Sequence, residues 1–147
     1  MTPSSNPQWL FIALIFFGIM AYIVWIRRQD RRWIEKRFGM DRVRMMSFGV
    51  NYFGCISEPG KPGRSSGFLL LTRDEVFFRS RIAGKKLSIP GRAIQSVYHD
   101  NAHKGEALHQ SVMKIDFINA RGNGDCAAFK VPYPPQWIAA VKSAFLT

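Results

Sequence analysis

Three histidines, His99, His103 and His109, fall within eleven residues together with Asp100 and Glu106. These are the residue types that ligate a divalent metal, but a zinc site needs about four such groups converging, and His99 and His103 share a face only on a helix. Gly105 and the flanking strand-like runs predict a loop, and no cysteine lies near, so this stretch reads as a loop and not as a metal centre. The stretch Glu58-Pro-Gly-Lys-Pro-Gly-Arg-Ser-Ser-Gly67 brings glycines and cations together as a phosphate cradle would. It lacks the GxxxxGKS/T spacing and no helix follows it, so a hairpin loop is expected in place of a nucleotide site. No nucleophile motif frames any Ser, His or Asp. Cys126 stands in a strand-like run beside small residues, the setting of a buried, inert thiol. The expectation is a protein that is not an enzyme, with no cofactor, no metal and no small-molecule substrate.

The elements that carry these residues divide sharply by charge. The chain has 147 residues and a formal net charge of +11. Residues 1–26 hold no Asp, Glu, Lys or Arg, whereas residues 27–44 hold eight basic and three acidic side chains. Such a balance implies an anionic neighbour, nucleic acid or a lipid surface. No recognition-helix, RNP or zinc-finger pattern is present and much of the excess cation sits beside the apolar run, so no nucleic-acid partner is expected.

That run, WLFIALIFFGIMAYIVWI over residues 9–26, is free of charge, amide and proline. As a helix it would be about 27 Å long, close to the roughly 30 Å hydrocarbon core. Trp9 at one end and Tyr22 with Trp25 at the other fall where amphipathic rings favour the headgroup boundary. A cleaved signal peptide would have a basic start, a shorter apolar region and a small-residue cleavage site. Here the start is uncharged and the exit is Arg27-Arg28, which predicts a retained single-pass anchor. Arg27, Arg28, Arg31 and Arg32 follow the span directly, so the positive-inside bias places residues 1–8 outside and the C-terminal part in the cytoplasm, at the cytoplasmic (inner) membrane. Cys55 and Cys126 then lie where thiols stay reduced. The span carries no side-chain ligand for haem or a chlorophyll-type magnesium and no proton-relay group. Residues 27–44 read as a basic juxtamembrane helix or linker, with Trp33, Ile34 and Phe38 as apolar points that could enter the interface and Gly39 ending the helix.

From residue 45 onward the pattern changes to short runs bounded by Gly, Pro, Asn or Asp. Strands are expected at Met46–Cys55, Gly67–Thr72, Glu75–Arg81, Lys86–Ile89, Ile94–His99, Ser111–Ile118 and Asp125–Val131. Met113, Ile115 and Phe117 alternate, as do Val76 and Phe78, the mark of a sheet with one buried face. Arg73-Asp74 and Ala83-Gly84 predict turns. Tyr133-Pro134-Pro135 introduces a final helix over Gln136–Leu146, with Trp137, Ile138, Val141, Ala144 and Phe145 on one side. The fold class is therefore one N-terminal transmembrane helix plus a mainly β, α+β domain over residues 45–147.

Gly67-Phe-Leu-Leu-Leu-Thr-Arg-Asp-Glu-Val-Phe-Phe78, Leu87-Ser-Ile-Pro90, Ile94-Gln-Ser-Val97, Lys114-Ile-Asp-Phe117 and the terminal Trp137 helix resemble the pleckstrin-homology-like superfamily, nearest to its GRAM-type and bacterial members. The resemblance implies seven antiparallel strands in two bent sheets capped by a C-terminal helix. One fold hosts many tasks, so it leaves two functions open. One is an accessory, scaffold or assembly subunit of an integral membrane protein complex, using both span and domain; Phe11, Phe16, Phe17 and Trp25 are bulky groups that can pack on neighbouring helices or pigments. The other is a module that binds anionic membrane lipids through Arg79, Arg81, Lys85, Lys86 and Arg92. A permanent span already fixes the chain in the bilayer, which favours the first.

Overall fold

The computed structural model describes residues 7–60, 63–81 and 84–146. Most of the N-terminal tail, Lys61 and Pro62 of the glycine-rich loop, Ile82 and Ala83 of the second expected turn, and Thr147 lie outside them. The chain falls into two compact units, Met1–Met40 and Asp41–Thr147.

The first unit is built on α1 (Pro7–Arg37), one uninterrupted helix of 31 residues. The expected span and the basic segment after it are thus a single rod of about 46 Å, longer than the hydrocarbon core by roughly ten residues. It is long and apolar enough to cross a membrane once, and none of its most apolar window is buried. Trp9, Tyr22 and Trp25 are exposed, and the last two rings stack with centroids 6.3 Å apart. In the final turns Arg37 lies over both Trp33 (5.5 Å) and Phe38 (5.7 Å). Lys36 and Arg37 suit the negative end of the helix dipole. Gly39 stops the helix as expected: its φ of 76° is the left-handed turn that glycine adopts without strain, and its N–H returns to the Glu35 carbonyl.

In the second unit the strands are β1 (Val43–Cys55), β2 (Ser65–Thr72), β3 (Glu75–Ser80), β4 (Lys86–Pro90), β5 (Ile94–His103), β6 (Glu106–Ile118) and β7 (Gly124–Lys130), followed by α2 (Pro134–Phe145). All seven are antiparallel and hydrogen-bonded in one sheet, in the order β4-β3-β2-β1-β7-β6-β5. The two halves of the sheet meet in β1. Its residues 43–52 pair with β2, while its residues 51–55 pair with β7. Register shifts between Ser47 and Val50 and between Tyr52 and Cys55 contain Gly49 and Gly54, both at positive φ, so the long strand bends where glycine allows it.

The expected alternation builds the main core, but the sheet does not have only one buried face: Leu70, Phe77 and Val112 at the intervening positions are buried as well, and Val112 joins a second cluster with Phe53 and Ala128. Val76 and Phe78 of β3 and Met113, Ile115 and Phe117 of β6 face one cluster with Trp137, Ile138 and Val141 of α2, against which Ala144 and Phe145 also pack. Tyr52, Phe78 and Phe129 form an aromatic triangle with centroids 5.1–5.7 Å apart. The indole N–H of Trp137 donates to Ser47 Oγ at 2.9 Å, so α2 is both packed and pinned. Between β2 and β3 the Thr72 hydroxyl accepts the N–H groups of Asp74 and Glu75, closing the turn expected at Arg73-Asp74.

One expectation is corrected. Residues 99–109 are not a loop: β5 runs on to His103 and β6 begins at Glu106, so these residues are the outer half of a long hairpin. Lys104 and Gly105 both take positive φ (54° and 77°), the requirement of a two-residue turn whose twist matches its strands. The register shift between Asp100 and Ala102 is matched by a bulge in β6 where His109 also takes positive φ (57°).

Candidate functional site

At one end of the β domain three connections come together: the β1–β2 loop, the β3–β4 turn and the β5–β6 turn. They meet at Glu58. Tyr52, buried at the end of β1, donates its hydroxyl to Glu58 Oε1 at 2.7 Å, and the Cys55 thiol lies 3.0 Å from the same hydroxyl. Lys104 at the β5–β6 turn donates to the Glu58 carbonyl at 2.8 Å, and Lys85 from the β3–β4 turn lies 4.0 Å from Glu58 Oε2. The base of the loop is fixed by Asp125 of β7, which accepts both the N–H (3.1 Å) and the hydroxyl (2.5 Å) of Ser57. Burial would raise the Asp125 carboxyl, but those bonds and the Cys126 N–H outweigh it and hold it below the usual carboxylate range.

Beside Glu58 is an open cleft of ≈ 740 Å³ between the loop, the β5–β6 turn and the Lys114 side chain. Its floor includes His103, whose Nε2 lies 2.7 Å from the Gly54 carbonyl, so Nε2 carries the proton and donates. Nδ1 is buried with no hydrogen-bond partner. Burial, chiefly, holds the imidazole below its ordinary pKa, with Lys114 and Lys104 adding repulsion against a proton. Lys114 is itself nearly buried, and its ammonium is met by Asp100 Oδ2 (3.3 Å) and the Ala102 carbonyl (3.1 Å). Asp100 is held low by the Asn101 N–H and then by Lys114. The cleft is thus of mixed charge, with each carboxylate set against an ammonium.

The three histidines do not converge. His103 is bound to β1, His99 lies 3.3 Å from the Ser111 hydroxyl on the exposed side of the hairpin, and His109 sits in the bulge. Among the described residues no three His, Cys, Asp or Glu side chains are grouped to hold a metal. Cys55 and Cys126 are buried free thiols, pushed up by burial to about 11 and about 12.

The five cations named from the sequence separate into two places. Arg79 and Lys86 are opposite one another on β3 and β4, with Lys85 and Arg81 at the adjoining turn. Arg92 is in the short 3-10 turn after β4, near Glu75 and Phe145. Four residues of strand, about 13 Å, separate the two ends of that hairpin. Lys104 was not singled out by the sequence, and Glu58 and Lys114 were named only as the first residues of the glycine-rich stretch and of a core run. Lys104-Gly105 between Ala102 and Ala107 carries a turn signal that would have placed Lys104, and Lys114 alternates with the buried Met113 and Ile115.

No family model matches the chain, and no curated protein resembles it in sequence. Among solved structures it is similar to the C-terminal domain of an unknown protein from Leishmania infantum, at a TM-score of 0.55 and 14% identity over 83% of this chain and 99% of that one. A chain of the 8S snRNP assembly intermediate aligns at a TM-score of 0.49 and 7% identity, over 71% and 79% of the two chains. The first is a likeness of fold alone, and the class it supports is an α+β module of antiparallel strands closed by a C-terminal helix.

Proposed function

We propose that this chain is a non-enzymatic, single-pass membrane protein that serves as an accessory or assembly subunit of a larger membrane complex. Its span packs on neighbouring helices and its β domain, of pleckstrin-homology-like type, offers a protein-binding surface at the cytoplasmic face. The orientation follows from Arg27, Arg28, Arg31 and Arg32, whose side chains favour the inside of the membrane over the uncharged N-terminal end. The observation that carries the preference is the mixed charge of the loop end: Glu58 and Asp100 stand beside Lys85, Lys104 and Lys114. A surface of alternating sign gives specificity for a protein partner, whereas a lipid headgroup layer calls for cations alone.

Binding of anionic lipid headgroups is the second reading, favoured by the grouping of Arg79, Arg81, Lys85 and Lys86 at one hairpin end. Solubilisation in mild detergent separates the two. The assembly reading expects the protein to migrate with partners in fixed stoichiometry; migration as a lone chain that binds acidic vesicles through residues 45–147 contradicts it.

A further inference from the structure

We infer that the loop end of the β domain is a seat for a phosphate-type anion that the chain keeps filled with its own Glu58 carboxylate. Two donors from separate parts of the fold meet that carboxylate, and a third stands at the main chain of the same residue. The Tyr52 hydroxyl holds Oε1 at 2.7 Å, the Lys85 ammonium stands 4.0 Å from Oε2, and the Lys104 ammonium is bonded to the Glu58 main chain at 2.8 Å. Room for them comes from Gly54. A Cβ there would lie 3.1 Å from Glu58 Oε2 and 3.5 Å from Lys104 Nζ, and the φ of +89° already excludes most other residues.

One hydroxyl and one ammonium at an oxyanion, with a second ammonium held beside it on the main chain, is the chemistry that recognises phosphate. Here the oxyanion is internal. It is not locked in place, because the Lys85 and Glu58 side chains are 52% and 39% exposed and a pair so open to water is weakly held. Glu58 therefore cancels the local positive potential and competes with any external anion for the same donors. The inference stands whichever protein the span assembles with, since it concerns only what the loop end admits.

The test compares the full chain with Glu58→Gln, both in phosphatidylcholine nanodiscs. Glutamine keeps an acceptor for Tyr52 and removes the charge. Titration with inorganic phosphate should show Glu58→Gln binding roughly five-fold tighter than the wild type, the size that loss of one exposed competing ion pair supports. Adding Lys85→Glu should remove the gain. A parallel arm with phosphatidylserine-containing vesicles distinguishes the source: a gain there without one for free phosphate assigns the seat to a lipid surface, and the reverse to a small soluble anion. Equal binding by wild type and Glu58→Gln in both arms, or a gain that survives Lys85→Glu, overturns the inference. Glu58→Ser, which gives up charge and acceptor together, repeats the comparison should the glutamine variant not fold.

Discussion

His103 Nε2 and the Gly54 carbonyl lie 2.7 Å apart, which ties the tip of the β5–β6 hairpin to the bent end of β1. Burial opposes a charge on the ring, and a second proton on Nδ1 would find nothing to accept its bond, so the folded state favours the neutral imidazole although the Gly54 carbonyl itself favours a protonated one. Lys104 and Lys114 act on the ring with positive charge, and Asp100, which acts in the opposite sense, is engaged by Lys114.

The ring's pKa is depressed on folding, so the unfolded chain binds the proton first and stability must fall as pH drops below about 6.5, the unfolded value. The melting temperature of the full chain, followed from pH 7.5 to 5, should decline through that window, while His103→Gln, which can still donate to Gly54 but does not titrate, should show a flatter profile. Equal slopes in the two proteins would contradict the tie.

Packing of α2 gives a second prediction. Trp137 is fully buried and bonded to Ser47, so Trp137→Ala should cost about 3–5 kcal/mol in denaturant unfolding. Two glycines grade the effect of crowding. A Cβ on Gly91 would come within 2.2 Å of the Phe145 ring, a side chain that can shift, at a cost of about 1–3 kcal/mol. A Cβ on Gly67 would come within 1.9 Å of the Arg79 carbonyl oxygen in the paired strand, where nothing flexible can give, and Gly67→Ala should be the more damaging.

Thiol labelling tests the environment of the cysteines. Both are buried with their pKa values raised by desolvation, so little thiolate exists at neutral pH. Iodoacetamide should modify neither in the native protein and both once denaturant is added. Rapid native modification of Cys55 would mean that the Tyr52 end of β1 is open to solvent.

How far the sequence reveals this molecule depends on how local each signal is. The alternation in β6 and the single apolar side of α2 are written in neighbouring residues, and both predicted which side chains reach the main core, though not the burial of Val112 and Lys114 beside them. The hairpin over Asp100–Ser111 was missed because it is mostly polar on both faces, so pairing with the partner strand and the Lys104-Gly105 turn fix it, not an apolar rhythm. The Glu58 cluster was hidden for a different reason. Lys104 meets the Glu58 carbonyl across 46 residues, a contact set by sheet order, which no spacing motif encodes.

Exchanging Arg79 and Lys86, which face each other on β3 and β4 and are not among the mixed-charge residues around Glu58, for glutamate separates the two functional readings. In the assembly account the detergent-solubilised protein keeps its partners and their stoichiometry, and only vesicle binding changes. Loss of partners together with loss of acidic-vesicle binding would favour the lipid account.

The assembly reading has the exposed aromatic residues of α1 covered by other proteins in the membrane. A photoreactive amino acid placed at Phe16 and activated in native membranes should yield one or a few discrete protein adducts. Adducts to lipid alone, at Phe16 and equally at Phe11 and Phe17, would contradict the account.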